Sequence, residues 1–128
     1  MRLLLDTHSF VWFIEGSPRL SSRARELIEA DAAEVYVSAA TGWEIATKHR
    51  LGKLPNAEAL VMDFEGEVLR AGMTGLAITL RHAAMAGSLA GDHRDPFDRI
   101  LASQAIVEGI PLLSKDATFD NYGVVRIW

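Results

Sequence analysis

The opening stretch, MRLLLDTHSF, most limits how this chain can fold. Residues 2–5 form an almost continuous apolar run, and a strand with apolar side chains at consecutive positions must be covered on both faces. Such strands belong to parallel sheets layered between helices. The run stops at Asp6, and a carboxylate beside that much apolar surface needs a hydrogen-bond donor, a counter-charge or a metal.

The rest of the chain repeats the strand-then-helix pattern. Thr7 to Glu15 reads as a helix broken by Gly16-Ser17-Pro18, and Ser21 or Ser22 caps a second helix with Ala24, Leu27 and Ile28 inward. Val35-Tyr36-Val37 predicts a second strand, ending at Ser38. That serine caps a helix carrying Ala39, Ala40, Trp43 and Ala46 toward the core, closed by Gly52 and Pro55. An amphipathic helix is expected from Ala57 to Arg70 and a third strand around Leu76, Ala77 and Ile78. A short helix from Arg81 to Leu89 leads to the polar loop Gly91-Asp92-His93-Arg94, and Pro96 opens a helix with Phe97, Ile100, Leu101, Ala105 and Glu108 at helical spacing. Ile110 to Ser114 and Val124 to Ile127 complete the strands. This order predicts a single α/β domain over residues 1–128, with a mainly parallel central sheet in a three-layer α/β/α sandwich.

Composition narrows the chemistry. With 128 residues, of which 49% are hydrophobic, the chain is long enough to bury a substantial core. No apolar run approaches the roughly 18 residues of a membrane span, and Asp6 and His8 interrupt the N-terminal run too early for a signal peptide, so a soluble cytoplasmic protein is expected. Cysteine is absent, which excludes disulfides and thiolate metal sites and leaves carboxylate, imidazole and backbone oxygen for any metal. The net charge of -4 and the pI near 5.5 argue against gripping nucleic acid by bulk charge.

Four acids fall where a parallel sheet gathers its functional groups, beyond the carboxyl ends of its strands. Asp6 ends the first strand, Glu44 lies in the helix after the second, Asp98 sits in the first turn of the helix in HRDPFDRILASQA, and Asp116 follows the fourth strand in LLSKD. Each has an ordinary structural role open to it. Asp6 and Asp95 can cap helices, Asp98 suits a helix N-terminus, Glu44 can pair with Lys48, and Asp116 can start an Asx-turn. Their conjunction favours a metal, because converging carboxylates repel one another unless divalent cations neutralise them. Oxygen ligands point to Mg²⁺ or Mn²⁺.

The ordered set LLLDTHSFVW, GWEIATK, HRDPFDRILASQA and LLSKDATF resembles the PIN-domain superfamily, and within it the VapC-type ribonuclease toxins, along essentially the whole chain. The resemblance implies a metal-dependent endoribonuclease whose acidic cluster maps onto Asp6, Glu44, Asp98 and Asp116, with Asp95 either a cap or an additional ligand. It also implies that Thr7 or Ser9 orients a ligand or water, although Thr7 serves equally as a helix cap. One or two Mg²⁺ ions would activate water and hold the scissile phosphate. A cognate antitoxin covering the crevice and a homodimer are further implications.

Other conspicuous residues are assigned less specific roles. His8 and His93 flank the acids and suit hydrogen bonding or phosphate contact better than metal ligation. Trp12, Phe13 and Trp43 at apolar helical positions read as core rather than as stacking platforms. Lys48, His49, Arg50 and Lys53 form the densest basic patch, while Arg94, Arg99 and Lys115 lie beside the acids, where Arg99 and Lys115 can position RNA through its phosphates. Phe10, Val11, Phe13 and Ile14, spread around one helix, predict more apolar surface there than one core covers. Two competing readings are a catalytically silent RNA-binding module, disfavoured by retention of all four acids, and an aspartate-based phosphoryl-transfer domain, disfavoured because DTH lacks a second nearby carboxylate.

Overall fold

The structure is a computed structural model that describes residues 1–92 and 94–128; His93, one of the two histidines expected near the acids, lies outside the described residues. Strand β1 (Arg2–Leu5) is followed by helices α1 (Thr7–Glu15) and α2 (Ser22–Glu29), strand β2 (Glu34–Ser38) and helix α3 (Ala39–Arg50). Two short helices, α4 (Glu58–Met62) and α5 (Phe64–Arg70), lead to β3 (Thr74–Leu76). Then come α6 (Leu80–Ser88), α7 (Pro96–Glu108), β4 (Leu112–Leu113), a 3-10 helix at Ala117–Tyr122 and β5 (Arg126–Ile127).

The strands form one sheet in the order β3-β2-β1-β4-β5, and every pairing is parallel. The consecutive leucines behave as their pattern requires. Leu5 faces one layer, where it packs with Val35, Val37 and Leu113 under Phe10, Val11, Ile28, Ile45 and Val68. Leu4 faces the other, with Leu112, Leu101, Ala102, Ala105 and Phe119. Helices therefore cover both faces, giving the three-layer α/β/α sandwich. Because the chain runs outward from β1 through β2 to β3 and then returns to β4 on the other side of β1, the sheet's switch point lies beyond the ends of β1 and β4.

Local signals in the sequence account for most element ends. Ser21 accepts a hydrogen bond from the Ala24 amide at 3.0 Å, Ser38 from Ala40 at 3.0 Å and Thr79 from His82 at 3.2 Å. Gly16 and Gly109, both at φ 65°, close α1 and α7 in the left-handed conformation that a side chain would strain.

Several expectations shift. The helix foreseen from Ala57 to Arg70 is two helices, because Asp63 leaves helical geometry at φ -149° and turns its carboxylate onto the Gly66 amide, 3.1 Å away. The third strand is Thr74–Leu76, earlier than the apolar cluster suggested, while the fourth and fifth strands are two-residue pairings. Helix α3 buries Ala40, Thr41, Glu44 and Ile45, whereas Ala39, Trp43 and Ala46 are exposed. Trp43, 59% exposed, is accordingly not core; its ring meets Phe97 of α7 edge-on, with centroids 4.8 Å apart. Phe10 and Val11 are buried and Phe13 and Ile14 half-buried against the core, so the exposed apolar residues lie elsewhere, with Met62, Leu69 and Leu80 prominent among them.

Candidate active site

Asp6 stands one residue past the central strand and is 5% exposed. Its Oδ1 accepts the Ser9 amide at 2.9 Å, which caps α1, and its Oδ2 accepts the Ser114 hydroxyl at 2.6 Å. Burial pushes the Asp6 carboxyl above its ordinary range, opposed by the hydrogen bonds from Ser114 and Ser9 and by attraction to His8. Ser114 is also the acceptor for the Asp116 amide at 3.0 Å, so one hydroxyl links the acids that follow β1 and β4. Sequence reasoning gave Ser114 no role. Its position directly after the Leu112-Leu113 pair was the available signal.

Asp116 is exposed, and its Oδ1 accepts both the amide and the hydroxyl of Thr118, at 2.9 and 2.8 Å, as the expected Asx-type turn requires. Together with Asp6, His8, Trp12 and Lys115 it lines a cavity of about 250 Å³. The two acids are thereby brought to one opening. Lys115 supplies a cation at its wall.

Glu44 enters from α3, where it is buried. Its Oε1 accepts the Thr7 hydroxyl at 2.7 Å and its Oε2 lies 2.6 Å from the Lys48 ammonium. Because Thr7 spends its proton on Glu44, Thr41 is the donor across the 3.2 Å contact between the two threonine hydroxyls. Thr7 thus ties the residue after Asp6 to the second acid, while Ser9 donates its hydroxyl to the Leu113 carbonyl at 3.1 Å and anchors α1 to β4. Lys48→Ala is expected to lower stability by about 1 kcal/mol, by leaving a buried carboxylate without its counter-charge; the one-third exposure of Lys48 keeps the figure modest. Urea melts check this, and in a Glu44→Gln background the loss should disappear.

Asp98 lies half-buried in the first turn of α7. Helix α7 runs into β4 through the short connection of residues 109–111 and is therefore oriented against the strands, which sets its first turn at the carboxyl edge. The Trp43–Phe97 ring contact joins the neighbour of Glu44 to the neighbour of Asp98. Asp95 caps this helix, accepting the Phe97 and Asp98 amides at 2.9 and 3.3 Å. Arg99 donates to the carbonyls of Ala86, at 2.8 Å, and Leu89, and its guanidinium lies 5.9 Å from the Tyr122 ring centre, so it buttons α7 to the end of α6. Of the basic patch, Lys48 is committed to Glu44 and His49 lies 3.6 Å from Glu58.

Among the described residues, no three carboxylates or imidazoles stand close enough together to hold a metal between them. The groups present are nonetheless oxygen donors suited to a hard cation. Of the four acids expected at a cation, the structure brings Asp6 and Asp116 to one cavity.

A PIN domain profile matches residues 3–125, and the chain belongs to that family. Ribonuclease VapC16 of Mycobacterium tuberculosis is 34% identical over 71 residues, which are 52% of this chain and 50% of that protein, so the likeness spans about half of the relative's length. Among solved structures, VapBC2 from Rickettsia felis bound to a DNA fragment from their promoter matches with a TM-score of 0.73 at 18% identity, covering 99% of this chain and 98% of that one. VapBC-1 from nontypeable Haemophilus influenzae matches with a TM-score of 0.70 at 16% identity, covering 99% and 97%. At such identities these structures establish the shared fold. Among the described residues, no helix is long and apolar enough to cross a membrane.

Proposed function

We propose that this chain is a divalent-cation-dependent endoribonuclease, acting as the toxin of a toxin–antitoxin pair. The observation that carries the reading is Asp6: a carboxylate buried at the sheet's switch point, held by Ser9 and Ser114, and opening onto a cavity shared with Asp116 and Lys115. A fold that only needed a helix cap there could take an exposed residue. Membership of the PIN domain family and the partial likeness to a protein named ribonuclease VapC16 support the same reading. So does the fold shared with the toxins of VapBC complexes, which makes a protein antitoxin the expected partner. A homodimer and a cytoplasmic location complete the proposal.

The cation, Mg²⁺ or Mn²⁺, would be received by Asp6 and Asp116, which share the cavity. Asp98 on α7 and Glu44 on α3, which stand outside any three-acid cluster among the described residues, would have to close on it when it binds, with Asp95 kept to its cap. Bound there, it supplies water activation and neutralisation of charge on the phosphodiester. The chain's own residues prepare the site for it. Ser9 and Ser114 aim the Asp6 carboxylate and favour its ionised form, Thr7 and Lys48 fix Glu44, and Lys115 meets the approaching phosphate.

The test is incubation of the purified chain with total cellular RNA in Mg²⁺, Mn²⁺ or EDTA, with the new ends mapped. Cleavage confined to the metal-containing reactions is expected. Undiminished cleavage in EDTA would remove the cation from the mechanism, and intact RNA under all conditions would remove the nuclease.

A further inference from the structure

We propose that His8 and Trp12, backed by Trp128, form a nucleobase subsite beside the acids, on which an unpaired base next to the cleaved phosphodiester stacks. The inference rests on the ribonuclease reading and gives its site a means of holding substrate. Residues 8 and 12 stand one turn apart on α1, so their side chains share a face. Their rings are stacked, with centroids 5.5 Å apart and planes 28° from parallel. The Trp128 ring meets Trp12 edge-on at 6.1 Å and 64°, which braces the indole from the side of the last strand.

Core packing explains only part of this arrangement. Trp12 is half-buried and packs against the core, yet it also lines the 250 Å³ cavity with Asp6, His8, Lys115 and Asp116. His8 is exposed, and its imidazole lies over an indole at the mouth of an acidic cavity. An occupant whose phosphate approached Lys115 and the acids would have its base within reach of these rings. Trp43, on Phe97, provides an internal contrast, since it lines no part of this cavity.

Charge gives the subsite a purpose. At a net charge of -4, with carboxylates lining the cavity, the surface offers a polyanion little general attraction. Stacking supplies affinity that does not depend on charge and tolerates any base. A base lying on His8 and Trp12 cannot at the same time be stacked inside a duplex, so the subsite selects unpaired segments of RNA.

The three indole N–H signals of ¹⁵N-labelled protein, assigned with single Trp→Phe variants, provide the direct test during titration with AMP, GMP, CMP and UMP in EDTA. The Trp12 signal is expected to move with at least one nucleotide while that of Trp43 stays fixed, and His8→Ala should weaken the response. No movement of the Trp12 signal with any of the four, or an equal movement of Trp43, would overturn the subsite. In cleavage assays Trp12→Leu should raise KM about tenfold or more with a smaller change in kcat, and Trp12→Phe should restore most of the loss. His8→Ala, altering an exposed side chain, gives the same comparison should Trp12→Leu fail to fold; unchanged KM in His8→Ala would count against the proposal. The titration needs no cleavage, so a protein that cuts no RNA but shifts Trp12 would refute the nuclease and keep the nucleotide site. Normal cleavage with an unmoved Trp12 would do the reverse.

Discussion

Asp6→Asn is expected to abolish RNA cleavage, by roughly a hundredfold or more, while raising the melting temperature of the metal-free protein. The two effects have one origin. Burial raises the Asp6 carboxyl above its ordinary value of 3.8, so the folded chain binds this proton more tightly than the unfolded chain does. Below that value both states are protonated and the group costs nothing. As pH climbs from that value through the raised one the native state loses stability, and above the raised value the full cost of a buried charge remains. Asparagine removes the charge, keeps an oxygen for the Ser9 amide and stays within reach of Ser114. The thermal advantage of the variant should therefore shrink as pH falls toward 3.8, and added Mg²⁺ should raise the melting temperature of the parent more than that of the variant. Scans at several pH values with and without Mg²⁺ measure both trends. A variant that melts lower than the parent at neutral pH would show that the acid serves the fold more than the site.

What the sequence revealed and what it hid divide along physical lines. The run Leu3-Leu4-Leu5 was legible because alternation along a strand leaves one interpretation when neighbours are all apolar: both faces are covered. Helix starts at Ser21 and Asp95 were legible because caps act over two or three residues. The inward face of α3 was not, since it carries Thr41 and Glu44, polar groups that both meet the Thr7 hydroxyl, with Lys48 one turn on pairing with Glu44. Ala39, Trp43 and Ala46 made a false apolar stripe. The Asp63 break was hidden likewise, because a side chain that caps a helix in its middle leaves the surrounding apolar spacing intact. Ser114 could not be weighed before the fold brought it, 108 positions away in sequence, against Asp6.

For the acids themselves, the structural and functional readings do not compete. Asp6 caps α1 and opens onto the cavity; Asp116 forms its turn and lines the same cavity; Glu44 pairs with Lys48 and faces Thr7. A carboxylate that is already aimed by hydrogen bonds presents its remaining lone pairs in a fixed direction. On the proposed function, such positioning would lessen the reorganisation needed for a substrate and a cation to bind. It also explains why each acid viewed alone looked structural.

Asp95 and Asp98, three residues apart in HRDPFDR, should separate cap from catalysis. Both Asp95 contacts go to backbone amides, Phe97 at 2.9 Å and Asp98 at 3.3 Å, so its carboxylate is engaged in starting α7. Asparagine can accept the same bonds, and Asp95→Asn should retain most activity and stability. Asp95→Ala loses the cap and should cost about 1 kcal/mol, a fall of roughly 3–5 °C in melting temperature for a chain of this length. Asp98 occupies the first turn, where its charge interacts favourably with the helix N-terminus whether or not it also binds a cation. Asp98→Asn should reduce cleavage by roughly a hundredfold while the fold and the Asp95 cap are kept. Melting curves and Mg²⁺ titrations of cleavage on the three variants distinguish the roles. Equal inactivity of Asp95→Asn and Asp98→Asn at saturating Mg²⁺ would place Asp95 in the catalytic site, because an intact cap would then leave the lost activity with no structural explanation.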